Sequence, residues 1–252
     1  MAAEKSDFTA MTMNLRFGLA DDGDNSWPNR KQLCAELLNR YPSTFLGIQE
    51  SNHFQTRFLI QNLRDHHFIG WHNPSKERWQ SNLIFYHKSW ECLRNKHYFL
   101  TDTPGIESKM PGSKWPRQCV IGLFRKASYK VIVANTHFDF EESVQKKSVA
   151  LVIRFLSEFP GDCPVIVTGD FNSNPDGKAH ALFRAKGFCE VFDNQHSTTF
   201  HNFTGEKTLD HIDWILYRGH LKVIQKKIIT DSISGRYPSD HYPVMAFFSM
   251  TN

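Results

Sequence analysis

The stretch PVIVTGDFNSNP, residues 164–175, is where the fold becomes legible. Val165-Ile166-Val167-Thr168 is a short, wholly β-branched run behind a proline, so it reads as a strand. It stops at Gly169-Asp170, after which Asn, Ser and Pro take over in the composition of a loop. A strand that ends on an acid and an amide can hold functional groups at one rim of a rigid sheet.

The same grammar recurs on both sides of this stretch. Phe8 to Asn14 reads as a strand leading into a Gly-, Asp- and Asn-rich loop from Leu15 to Trp27. Pro28 suits the first turn of a helix, with Leu33, Leu37 and Leu38 as its buried stripe. Thr44 to Gln49 is a buried strand ending at Glu50, and His53 to Leu63 a helix with Phe54, Phe58 and Leu59 on one face. Leu83 to Tyr86, Val120 to Phe124 and Lys130 to Asn135 read as strands, the last ending at Thr136-His137. A helix begins at Ser143 and carries Val144, Val149, Val152, Ile153 and Leu156. Further strands fit Ile212 to Tyr217, Leu221 to Ile229 and Pro243 to Phe248. Helices alternate with strands early and strands dominate late. That mixture predicts an α/β fold of two packed sheets with helices outside, in one domain spanning 1–252.

Composition adds little beyond this. In 252 residues, 40% hydrophobic and 22% charged, a large core is allowed, and a net charge of +4 agrees weakly with an anionic substrate. Cys34, Cys92, Cys119, Cys163 and Cys189 form no C-x-x-C pair, so buried free thiols are expected rather than disulfides or a zinc site. The N-terminus shows no basic flank before an apolar run, and no stretch has the length of a membrane span. A soluble, cytoplasmic protein is expected, with no membrane insertion and no obligate protein partner evident.

The chemistry lies in what stands at the strand ends. Asn14, Glu50, His137, Asp139, Asp170, Asn172, Asp213, Asp240 and His241 each sit at or just beyond an apolar run. A lone Asp or Asn there caps a turn, and a lone His is usually structural. So many together is another matter. Carboxylates gathered at one rim repel one another unless a cation neutralises them, and oxygen ligands suit Mg²⁺ or Mn²⁺. Such an ion polarises a phosphoryl oxygen, and a nearby histidine can move a proton. Acids, amides and histidines in this pattern point to hydrolysis of a phosphate ester.

Six motifs then carry a resemblance: MTMNLRFG at 11–18, LGIQE at 46–50, NTHFD at 135–139, VTGDFNSNP at 167–175, LDHIDWIL at 209–216 and YPSDHYPV at 237–244. In this order they resemble the endonuclease/exonuclease/phosphatase superfamily, and they span nearly the whole chain. The resemblance implies a four-layered α/β sandwich, DNase I-like, with its two sheets flanked by helices. It implies that Glu50 is the principal metal ligand, with Asn14 beside it and Asp240 as a further metal-site carboxylate. Asp170 would orient or deprotonate the attacking water, and Asn172 would hold that water or the phosphate. His241 would bind the scissile phosphate or act as base, with Asp213 fixing its tautomer. His137 resembles the histidine that stabilises or protonates the leaving group in the DNase I, deadenylase and sphingomyelinase branches. It departs from the abasic-site endonuclease branch.

Other residues stay open. His211 shares a face with Asp213 but reads as structural. Asp139 shares a face with His137 and either orients a basic side chain or joins the site. Arg117, in KMPGSKWPR at 109–117, is placed to grip a phosphate, with Trp115 packing on the domain. Trp27, Trp71, Trp79 and Arg78 read as core more readily than as a stacking surface, and Asp21, Asp22 and Asp24 as a solvated loop. The leading function is a nuclease-like phosphodiesterase on a phosphoester such as DNA, RNA or a nucleotide. The alternative is a phosphatase or phosphodiesterase for a sugar phosphate or lipid head group. GDFNSN and LDHIDW argue against the inositol-phosphatase branch, and a complete set of acids, amides and histidines against a dead binding module.

Overall fold

The computed structural model describes residues 6–193, 197–207 and 210–251. Strands β1 (Phe8–Asn14), β2 (Phe45–Ser51), β3 (His66–Ile69), β4 (Ser81–His87), β11 (Leu221–Ile228) and β12 (Val244–Met250) form one sheet. Its order is β11-β12-β1-β2-β4-β3. Strands β5 (Glu91–Phe99), β6 (Gln118–Lys126), β7 (Tyr129–His137), β8 (Val165–Asp170), β9 (Cys189–Glu190) and β10 (Asp213–Arg218) form the other, ordered β5-β6-β7-β8-β10-β9. In each sheet one pair is parallel, β1 with β2 and β7 with β8, and the other pairs are antiparallel.

Three apolar layers hold the stack together. Between the sheets lie inward residues such as Phe45, Ile84, Phe124, Val133, Ile166 and Phe248. Helices α1 (Trp27–Arg40) and α2 (His53–Asn62) cover the outer face of the first sheet through Leu37, Leu38 and Leu59. Helices α3 (Glu142–Leu156) and α4 (Lys178–Ala185) cover the second through Val149, Val152, Phe155 and Phe183. The result is the four-layered α/β sandwich, its inward side chains alternating with those facing the helices as a strand period of two requires.

One polar cluster crosses the apolar centre. Asn135, fully buried on β7, donates from Nδ2 to the carbonyls of Ile48 (2.8 Å) and Leu83 (3.0 Å) on the facing sheet. Its Oδ1 accepts from Gln49 Nε2 (2.6 Å) and Thr168 Oγ1 (3.2 Å). A Cβ on Gly47 would lie 2.3 Å from Thr168 Oγ1 and 2.6 Å from Asn135 Oδ1, so a glycine there lets the sheets close on the cluster. The contact falls where the β2–β4 register shifts between Ile48 and Ser51. The strand irregularity that releases Glu50 from the ladder is therefore anchored from the opposite sheet.

Four of these elements escape the sequence pattern, the two-residue β9 among them. β5 is a mostly exposed edge strand, and its polar run ECLRNKH hides it. β3 has only four residues, and α4 is an eight-residue helix whose buried stripe is Ala179, His180 and Phe183. The cysteine expectation needs correcting as well: Cys34, Cys119 and Cys163 are buried free thiols, but Cys189 is exposed and Cys92 half-buried. Among the described residues no helix is long and apolar enough to cross a membrane.

Replacing Asn135 by Ala removes its bonds to two backbone carbonyls, the Gln49 amide and Thr168 Oγ1. We expect a loss of about 2–4 kcal/mol in unfolding free energy, read as a lower urea midpoint at unchanged slope. A midpoint equal to the parent's would show that the cluster is not a fastening.

Candidate active site

Strand register builds the centre of the site. In the second sheet His137 pairs with Asp170 across the parallel β7–β8 ladder, and Asp170 pairs with Asp213 across β8–β10. The three side chains form one row at the ends of neighbouring strands, all 4% exposed or less. Gly169 keeps β7 and β8 close, since a Cβ there would meet the Thr136 carbonyl oxygen at 2.4 Å. From the first sheet come Asn14, last residue of β1, and Glu50, near the end of β2.

Asn14 joins the two sheets at this rim. Its Nδ2 donates to Glu50 Oε1 (3.1 Å) and to Asp170 Oδ2 (2.9 Å), and its Oδ1 accepts from the Arg16 amide (2.8 Å). Glu50 Oε2 accepts from the Phe17 amide at 2.7 Å. Arg16, Glu50 and Asn172 have φ of 60°, 63° and 47°, the left-handed region that side chains with a Cβ seldom occupy. Three such residues around one cluster mark a backbone bent to aim its side chains.

His241 closes the row. Its Nδ1 lies 2.8 Å from Asp213 Oδ2 and its Nε2 3.8 Å from Asp170 Oδ2. Burial disfavours the imidazolium, but Asp213, Asp240 and Asp170 outweigh it and raise His241 to about 10. Asp170 moves upward as well, through burial first and then the neighbouring Asp213. His137 moves well below its ordinary value, through burial and the nearby Arg117 and His241. Asn172 Nδ2 donates to the Phe138 carbonyl (2.9 Å) and lies 3.1 Å from His137 Nε2, so that nitrogen accepts and the ring is neutral.

The remaining expected residues sort themselves around this core. Arg117 is 6% exposed, faces Asp170 and Glu50, and lies with Nε 3.6 Å from Asp139 Oδ2. Asp139 takes the orienting role: its Oδ2 also accepts from Ser113 Oγ and the Lys114 amide, each at 2.8 Å. Asp240 accepts from Ser239 Oγ (3.2 Å) and sits 3.5 Å from Arg16 Nη1, so the cation beside it here is an arginine. His211 is structural, its Nδ1 2.6 Å from the Ser197 carbonyl. Trp27 and Trp79 are buried against other rings, as expected of core, whereas Trp71 is half-buried and Arg78 exposed, so the core reading fails for those two. Trp115 does the opposite of the packing expected of it and is 49% exposed.

Two arginines went unread. Arg16 stands in the MTMNLRFG motif and forks Asp22 with Nε (3.0 Å) and Nη2 (2.7 Å). Arg30 is 1% exposed and donates to the carbonyls of Leu15, Arg16, Asn25 and Pro238, which ties the loop after β1 to the segment carrying Asp240 and His241. The three-residue spacing of Trp27 and Arg30 on one face of α1 was the available signal.

The donor set fits a hard divalent cation. Glu50, Asn14, Asp170 and Asp213 offer oxygens, and Asp213 Oδ1 is buried with no hydrogen-bond partner. Asp170, Asp213 and His241 have ligand atoms within 4.8 Å of one another. His241 Nδ1 is held by Asp213.

The model of the endonuclease/exonuclease/phosphatase family matches residues 11–241. Among solved structures, a Bacteroides thetaiotaomicron mannosyl-6-phosphatase is 25% identical, with a TM-score of 0.89 over 96% of this chain and 100% of that one. An endonuclease/exonuclease/phosphatase family protein from the same organism is also 25% identical, with a TM-score of 0.88 over 96% and 97%. D. rerio TDP2 complexed with single-strand DNA product is 17% identical with a TM-score of 0.78 over 96% and 99%, a likeness of fold. Among curated proteins none matches this sequence.

The raised His241 gives a direct check. In protein freed of metal with EDTA, the His241 ring should stay protonated at pH 8 by NMR, and Asp213→Asn should return its titration towards the ordinary histidine range. The raised value adds stability that is whole below pH 6.5 and fades as pH climbs towards 10. The stability gap between parent and Asp213→Asn should therefore narrow across that window. A ring already neutral at pH 8 in the parent would contradict the assignment.

Proposed function

The chain belongs to the endonuclease/exonuclease/phosphatase family, and from that premise we propose that it is a divalent-metal-dependent hydrolase of small phosphoesters. The carrying observation is the buried Asp170–His241–Asp213 array, joined to Glu50 through the Asn14 amide. Asp170, its affinity for a proton raised, is the base that takes a proton from the attacking water. Asn172, fixed by the Phe138 carbonyl, positions that water. His241, held cationic by Asp213, binds the phosphate through Nε2–H, and Arg117 adds a second cation.

The water oxygen bonds to phosphorus as the bond from phosphorus to the alcohol oxygen breaks. The alcohol takes up a proton from solvent as it leaves. Neutral His137 stabilises the departing side by hydrogen bonding rather than by protonating it. A cation bound by Glu50 and Asn14 would polarise a phosphoryl oxygen and offset charge on the leaving oxygen. Mg²⁺ or Mn²⁺ suits this oxygen donor set. In this reading Asp240 holds Arg16 rather than the metal.

A small substrate is preferred because a mannosyl-6-phosphatase shares 25% identity over nearly the full length of both chains. The DNA-bound relative, at 17%, supports only the fold. A panel decides between them: glucose 6-phosphate, mannose 6-phosphate, bis-p-nitrophenyl phosphate, and single-stranded DNA and RNA, each with Mg²⁺, Mn²⁺ or EDTA. We expect metal-dependent turnover of a sugar phosphate, with kcat lowered by roughly two or more orders of magnitude in Asp170→Asn and His241→Ala. Cleavage of the nucleic acids alone would return the substrate to the nuclease class. Full activity in both variants would remove the assigned roles.

A further inference from the structure

A cavity of about 830 Å³ opens beside His137 and Arg117. That is near the upper end of the roughly 300–1,000 Å³ of drug-sized ligand sites. Its walls come from three loops: the one after β1 (Phe17, Leu19, Ala20), the β3–β4 connection (Lys76, Arg78, Trp79) and the β5–β6 connection (Glu107, Trp115, Pro116). The charged members Asp21, Lys76, Glu77, Arg78 and Glu107 are exposed at the mouth, while Trp79 is buried in the wall against Trp71 at 4.8 Å.

Two polar residues of the floor are already engaged. Asn82 donates to the Gln118 carbonyl (2.9 Å), and Gln118 donates to the Gln80 carbonyl (2.9 Å) and meets His97 (2.8 Å). Flat apolar surface, by contrast, is left uncovered. Trp115 is 49% exposed, and Phe140, over whose ring the Arg117 guanidinium sits at 5.7 Å, is 59% exposed. The Arg78 guanidinium lies 5.3 Å from the Phe17 ring centre, extending a stacking face along the wall. Exposed large aromatics beside a catalytic cleft call for a ligand surface of matching chemistry.

We infer that this cavity binds the alcohol side of the substrate, and that the alcohol carries a planar aromatic group which stacks on Trp115. The inference rests on the phosphoester reading above and narrows it. A bare polyol phosphate leaves Trp115 in water. An aryl-bearing phosphoester of modest size fills the cavity with its phosphate at His241 and its ring at the mouth.

The test compares two esters with the same scissile bond, glucose 6-phosphate and phenyl β-glucoside 6-phosphate. The parent protein should prefer the phenyl compound by on the order of ten-fold in kcat/KM, carried by KM, as expected for one ring stacked on an aromatic side chain. The ratio should fall towards one in Trp115→Ala and persist in Leu182→Ala, an exposed apolar site on α4. A parent ratio near one, or a ratio that survives Trp115→Ala, overturns the inference. If neither ester turns over, calorimetry with phenyl β-glucoside separates the two claims. Binding that Trp115→Ala abolishes keeps the pocket and removes the phosphatase reading, and no binding overturns the pocket.

Discussion

Asp170 and Asp213 stand opposite each other on neighbouring antiparallel strands, each 1% exposed. Two carboxylates buried at one strand spacing cannot both stay charged without cations, and the rest of the rim answers that demand. His241 is held protonated between them, Arg117 is buried against Asp139 facing Asp170, and the Asn14 amide takes one oxygen of Asp170 and one of Glu50. The oxygens left over make the place a cation would fill. Charge repulsion built into the β8–β10 register is thus what the rest of the rim is arranged around.

Holding that arrangement takes support from both sheets. Asn135 fastens the β2 irregularity from across the sandwich, and Arg30 gathers the loop after β1 and the Pro238 segment onto a single guanidinium. Ser239 Oγ donates to the Asn14 carbonyl at 2.7 Å, which ties the start of the His241 segment to the end of β1. Left-handed backbone at Arg16, Glu50 and Asn172 costs energy that this packing offsets. The residues proposed to meet phosphorus stand at strand ends; the cavity beside them is walled by loops.

Much of this was legible in the sequence because strand ends print themselves there. Apolar runs that stop at Asn14, Glu50, His137 and Asp170, and one that begins at Asp213, pointed to residues that would share a rim, and the register then put three of them in one row. What could not be read depends on partners far along the chain. The β5 edge strand lacks an apolar face, and the bond between Arg30 and Pro238 joins residues 208 positions apart. The resemblance implies Asp240 as a metal-site carboxylate, and the partner that the fold brings to it is Arg16. Trp115, in the basic 109–117 segment, reads as packing on the domain, and only the path of the β5–β6 loop shows that it is half exposed.

The central claim is that water attacks phosphorus, activated by Asp170. Hydrolysis in ¹⁸O-labelled water, followed by ³¹P NMR of the released phosphate from whichever ester of the panel turns over, tests it most directly. The account predicts one ¹⁸O in the phosphate and none in the alcohol, with the labelled product suppressed in Asp170→Asn. Label in the alcohol would mean cleavage between carbon and oxygen and would contradict the account.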